Sequence, residues 1–206
     1  MNMRSPLYAM ICTGLFAFVI FTNPAVGGGE RHARLSKDAG FGRSETRRPQ
    51  IEIAELEKKV HDLINRERKK KGLSTLDWNG SLHKIARRYS RDMSERDFFS
   101  HNDPDGRCFT DRYKDGGFEC RLRFGNKTCL GAENIAQDIL YRSVQYRNGV
   151  PSYDWNTGDE IAASVVKRWM KSKGHRENIL TPYFKRQGIG IAISEDGRVY
   201  VTQDFC

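Results

Sequence analysis

The sequence predicts an α+β domain, with helices flanking a small, mainly antiparallel sheet. Three observations carry that prediction. Apolar residues step by three and four in two separate stretches, which is the helical period. A Thr-x-x-Glu box opens a third stretch of the same kind. Two alternating apolar runs joined by Glu195-Asp196-Gly197 close the chain as a hairpin.

Taken in order, the chain starts with Met1-Asn2-Met3-Arg4 and an uncharged apolar run from Leu7 to Phe21, followed by small residues at Ala25 and Gly27. This is the layout of a secretory signal peptide, assigned to residues 1–27. Residues 28–50 hold six basic and three acidic residues and few large apolar ones, so they read as a basic disordered linker. The folded domain is expected over 51–206. Ile53, Leu56, Val60, Leu63 and Ile64 form the first helical stripe, and Arg68 to Lys71 before Gly72 complement its C-terminal dipole. Leu82, Ile85, Ala86, Tyr89 and Met93 form the second, capped by Asn79 or Ser81. Residues 102–130 read as loop with a short helical piece from Phe109 to Tyr113, broken at Gly116-Gly117. Thr157 with Glu160 opens the third long helix, which carries Ile161, Val165, Val166 and Trp169 and is expected to end at Gly174. Gly188 to Ser194 and Arg198 to Phe205 are the strands.

Composition narrows the class. Apolar residues make 38%, charged residues 30% and aromatic residues 11% of 206, a globular balance with enough length for one core. The net charge of +9 favours anionic partners, such as membrane surfaces or envelope polymers. The domain keeps a net positive charge without the linker. Export and the lack of an aromatic–basic motif argue against nucleic acid. Loss of Cys12 with the signal leaves Cys108, Cys120, Cys129 and Cys206, an even count that reads as two disulfides. Three pairings are open. Nearness in sequence favours Cys108 with Cys120, leaving Cys129 for Cys206.

Four stretches place polar residues in apolar company: Phe98 to Pro104, Gly131 to Ala136, Trp169 to Leu180 and Tyr200 to Phe205. Within them His101, Glu133 and His175 are the residue types that hold zinc or another divalent cation, with an open position for water. Their separations, 32 and 42 residues, identify no site by themselves. The sequence has no H-E-x-x-H and no G-x-S-x-G, and His175-Arg176-Glu177 is not followed by P-C-x-x-C. Zincins, serine hydrolases of the elbow type and zinc deaminases are thereby excluded.

Together and in this order, these stretches resemble the CAP superfamily, or SCP domain, of cysteine-rich secretory, venom allergen and plant pathogenesis-related proteins. The microbial branch is the nearest match. The motifs are an Asn-x-x-Arg in the first helix around Asn65-Arg66, Phe99-Ser100-His101, Gly131-Ala132-Glu133-Asn134 with one inserted Ala, Trp169 through His175-Arg176 to Leu180, Gly188-Ile189-Gly190, and Tyr200 to Phe205. The resemblance covers about residues 53–206. It implies a three-layer α-β-α sandwich with a shallow cleft in which two His and two Glu hold a divalent metal. His101, Glu133 and His175 stand at three of those positions. Ser172 occupies the position of the second Glu, with Glu177 or Asp204 as substitutes. The function implied is an extracellular binding module for a lipid or an anionic envelope component, with peripheral membrane contact. The alternative is a metal-dependent hydrolase in which His101, Glu133 and His175 are catalytic.

Overall fold

The computed structural model describes residues 48–206. The expected signal peptide, Cys12 and nearly all of the expected linker lie outside the described residues. The elements run α1 (Ile53–Lys70), β1 (Asp77–Trp78), α2 (Gly80–Glu95), α3 (Phe109–Asp115), β2 (Leu122–Phe124), β3 (Lys127–Cys129), β4 (Ala132–Ile139), β5 (Tyr141–Arg147), β6 (Val150–Trp155), α4 (Gly158–Lys171), α5 (Lys173–Leu180), β7 (Arg186–Ile193) and β8 (Arg198–Phe205).

Four strands form the central sheet in the order β1-β7-β8-β4. β8 pairs antiparallel with both neighbours, and β1 joins β7 in parallel. Gly197, at φ +87, makes the β7–β8 turn, a conformation that a side chain resists. α2 lies on one face of the sheet. α1, α4 and α5 lie on the other, which completes the α-β-α sandwich. β2–β3 and β5–β6 are separate two-stranded hairpins.

The apolar stripes account for the layers. Leu56, Val60 and Ile64 of α1 meet Ile161, Val165 and Trp169 of α4 and Ile189, Ile191, Val199 and Val201 of the sheet. Trp169 Nε1 donates to Ile135 O at 2.9 Å, so the largest core side chain leaves no polar atom unpaired. On the other face, Tyr89 and Met93 of α2 pack with Ile135 and Tyr200. Gly188 and Gly190 let α2 approach very closely. A Cβ at Gly190 stands 1.9 Å from Arg87 N, and one at Gly188 stands 2.1 Å from His83 N. Buried Glu57 ties the layers by accepting from Arg87 Nε at 2.8 Å and from Ile191 N at 3.0 Å.

Three expectations change. The third long helix ends at Ser172, not Gly174, and Gly174 is the second residue of α5. Ser172 is the hinge because its extended backbone, ψ 127, closes α4 and opens α5. The strands β1 to β6 were not foreseen, and β2 and β3 lie in the stretch 102–130 that reads as loop. The third change concerns the cysteines. Cys120 is bonded to Cys206, with Cα atoms 5.7 Å apart, whereas Cys108 and Cys129 are free. The expected pairs Cys108–Cys120 and Cys129–Cys206 are therefore corrected. Cys108 is instead the N-cap of α3. β8 returns Cys206 beside Cys120. No described helix is long and apolar enough to cross a membrane.

Candidate functional site

The residues singled out in the sequence meet at the β4 edge of the sheet. β4 supplies Glu133, the loop after α2 supplies His101, and the start of α5 supplies His175. His101 Nδ1 lies 2.8 Å from Glu133 Oε1, and the His101 and His175 rings are 6.3 Å apart between centroids. Gly131, at φ +105, precedes β4 and brings its backbone against Phe205 O and the Tyr113 ring, where a Cβ would collide.

Glu133 is buried, and both its oxygens are engaged. Arg112 Nη2 donates to Oε2 at 2.5 Å. The same guanidinium donates to His101 O at 3.1 Å and to Arg107 O at 3.0 Å, and it lies over the Tyr89 ring, 3.3 Å from the centroid. Burial opposes the Arg112 charge, but Glu133 and Tyr89 outweigh it and hold the guanidinium firmly protonated. Tyr89 OH donates to Ser100 O, which pins the loop that carries His101. Arg112 was not anticipated. It sits in a short helix, and nothing in the sequence around it marks it out.

His175 is kept in place by backbone rather than by its ring. Asn134 Nδ2 donates to His175 O at 3.2 Å, and Asn178 Nδ2 donates to Asn134 Oδ1 at 2.9 Å. Burial, and then the neighbouring His101, lower the His175 pKa to about 4, so the ring is neutral at physiological pH. Asn134 also donates to Gln203 Oε1, and Gln203 Nε2 donates to Gln187 Oε1 at 2.6 Å. Buried amides thus run from the cleft through the sheet. The motif containing Asn134 and Asn178 was visible in the sequence, but these roles were not.

Ser172, as the α4–α5 hinge, brings no carboxylate to the cleft. Glu177 is exposed on α5. Asp204 is the cross-strand partner of Glu133 and fully buried. Burial and then Glu133 push its carboxyl well above the usual range, and its Oδ1 has no partner. A neutral, buried acid is a poor cation ligand. With Glu133 held by His101 and Arg112, the donor set for a metal reduces to His101 Nε2 and the His175 ring. Among the described residues, no group of three or more His, Cys, Asp or Glu side chains is arranged to hold a metal ion. Two imidazoles fall short of the three protein ligands of an open zinc site. The residues present do not fit the expected metal as a three-ligand centre. They fit a cleft with one imidazole fixed by a carboxylate and a second kept neutral.

A family model described as the cysteine-rich secretory protein family, CAP, matches residues 61–205. The uncharacterized protein YkwD of Bacillus subtilis is 33% identical over 153 residues, which are 74% of this chain and 48% of that protein. The uncharacterized membrane protein YlbC of the same organism is 30% identical over 149 residues, 72% of this chain and 34% of that protein. The chain thus spans half or less of the length of these curated relatives. Among solved structures, an extracellular protein containing an SCP domain from Bacillus anthracis superposes with a TM-score of 0.52 at 27% identity, covering 74% of this chain and 40% of that one. An outer surface protein of Borrelia burgdorferi superposes with a TM-score of 0.55 at 19% identity, covering 75% and 94%, a likeness of fold alone.

Proposed function

The chain belongs to the cysteine-rich secretory protein (CAP) family, and we propose that it is an extracellular binding domain whose cleft takes the polar end of a lipid or of an anionic envelope component. The observation that carries this reading is the His101–Glu133–Arg112 train. It fixes an imidazole that is 44% exposed in its side chain and leaves Nε2 as the free ring nitrogen. Such a group presents a preset donor or acceptor without delivering a nucleophile. The Ser100 hydroxyl beside it already accepts from Asn102 N. Exposed Lys171 and Lys173, next to His175 in the chain, favour an anionic ligand at low ionic strength.

Co-sedimentation with anionic liposomes and with anionic wall polymers tests this. The expected result is binding at low salt that weakens in the His101→Ala/His175→Ala variant. Absence of binding at low salt overturns the proposal.

One observation favours a second reading, a hydrolase working in the same cleft. A carboxylate bonded to Nδ1 is the arrangement that orients a general-base imidazole. Turnover on ester or peptide panels that disappears in His101→Ala would support it. Inactivity on those panels leaves the binding role.

A further inference from the structure

At the opposite edge of the sheet from the cleft, where β1 joins β7, the surface holds a second recess of about 400 Å³. Its wall includes Trp78, 40% exposed, and His61, whose ring is steeply inclined to the indole at 5.4 Å, while the His83 ring lies 4.8 Å from the same indole. The indole stands on rigid backbone. Trp78 pairs with Gln187 in the sheet, and Asn79 N donates to Gln187 O at 2.8 Å. The loop before it is clamped by Asn65, which accepts from Leu76 N at 2.8 Å and donates to Leu76 O at 3.0 Å. His61 is held between Asn65 and Gln187, and burial lowers its pKa, so it lines the recess as a neutral ring.

The rim is polar and mixed in sign. Arg66 and Lys69 come from successive turns of α1, Asp62 from the turn before, and Thr75 and Asp77 from the loop and β1. All five are exposed, and none of the four charged groups has an ion-pair partner among the described residues. Elsewhere the chain pairs many of its arginines, as in Arg87–Glu57 and Arg198–Asp97.

This lining selects a ligand class by elimination. A plain anion meets Asp62 and Asp77. A plain cation meets Arg66 and Lys69. An apolar ligand strips water from four charges without replacing it. A ring with an apolar C–H face and hydroxyls around its edge suits all parts at once. Its face covers the indole, its hydroxyls donate to the carboxylates, and its oxygens accept from Arg66, Lys69 and Thr75. We propose that this recess is a saccharide-binding subsite, with room for about two sugar rings. It stands on its own residues and does not depend on what the cleft binds.

The test is titration of the full-length protein with soluble oligosaccharides, an N-acetylglucosamine tetramer and maltotetraose, followed by calorimetry and by the Trp78 indole N–H resonance. At least one is expected to bind with a dissociation constant of about 0.1–10 mM and to shift that resonance. Trp78→Ala should weaken binding at least about tenfold, and Arg66→Ala/Lys69→Ala about three- to tenfold. His101→Ala should leave it unchanged, which separates this site from the cleft. If Trp78→Ala does not fold, the exposed Arg66/Lys69 pair decides. The subsite is refuted if neither oligosaccharide binds. It is equally refuted if binding survives in every folded recess variant, or if it is lost with His101→Ala, which puts the sugar in the cleft.

Discussion

Arg112 and Glu133 meet out of reach of solvent. Nη2 lies 2.5 Å from Oε2, and the two side chains are 10% and 1% exposed. The pair joins α3 to β4, and His101 is attached to the far oxygen of the same carboxylate. The cleft is therefore built on a buried ion pair, and the imidazole that faces solvent inherits its position from it.

Arg112→Met tests this dependence. The substitution keeps most of the volume but takes the guanidinium from the buried Glu133 carboxylate, which is left with the His101 ring, so a loss of about 3–5 kcal/mol is expected in urea unfolding. Glu133→Gln removes the charge at the other end and strands Arg112, with a loss of similar sign. The double variant Arg112→Met/Glu133→Gln should recover part of it, because no uncompensated charge remains. Additive losses would mean that the two residues do not act as a unit.

The helices and the β7–β8 hairpin were legible because each obeys one local rule. The Thr157–Glu160 box is present as read, with Glu160 N donating to Thr157 Oγ1, and Asn79 caps α2 by accepting from Leu82 N. β4 was not legible because its burial does not alternate. Glu133 to Ala136 are all buried, two of them polar. β5 and β6 do not alternate in burial either, and the Asn148-Gly149 turn between them is the one local signal of that hairpin. At the site, His101, Glu133 and His175 were found by residue type and motif. Arg112, 21 residues from Glu133, is a partner that only the fold brings in.

Gly190 and Gly174 should respond to alanine in opposite directions. At Gly190 the new methyl stands 1.9 Å from the backbone of α2, which cannot move without separating helix and sheet. Gly190→Ala is expected to cost more than about 4 kcal/mol or to prevent folding. At Gly174, inside α5, a Cβ meets nothing within 4 Å. Gly174→Ala is expected to stabilise by about 0.5–1 kcal/mol. Thermal melts of both variants check the pair.

The Cys120–Cys206 bridge closes a separation of 86 residues. Loop-closure entropy sets its contribution at up to about 4–5 kcal/mol. A Cys120→Ala/Cys206→Ala variant should lose about 2–5 kcal/mol, whereas Cys108→Ser and Cys129→Ser should leave the bridge intact by mass spectrometry of the non-reduced protein. A mass shift that places Cys108 or Cys129 in a disulfide would contradict the assignment.

Acid should act through His175. Its folded pKa, about 4, lies below the ordinary value of 6.5, because burial and then His101 disfavour the charged ring. The unfolded chain therefore binds this proton first as pH falls. The stability that the neutral ring secures is full above about pH 6.5 and drains away between 6.5 and 4, by at most about 1.4 kcal/mol per pH unit for one proton. His61, also lowered by burial, adds to the slope in the same direction. His175→Gln should flatten the stability–pH curve in that window, and an unchanged slope would assign the acid sensitivity elsewhere.

Zinc titration separates the two possible roles of Glu133. Held by Arg112 and His101, it leaves two imidazoles as donors, so binding to the wild-type protein is expected to be weaker than about micromolar. It should vanish in His101→Ala. Because His175 is already neutral, protons compete with the metal at that ring only near pH 4, and any binding should lose little on that account between pH 7 and 5. Glu133→Gln should leave this weak affinity nearly unchanged, since the carboxylate orients His101 rather than touching the metal. Nanomolar binding abolished by Glu133→Gln is the opposite outcome. It would require the carboxylate to leave Arg112 and turn to the metal. The buried guanidinium would then need a new partner, and Asp204, the neighbouring acid with an oxygen unpaired, is the one in place to ionise against it.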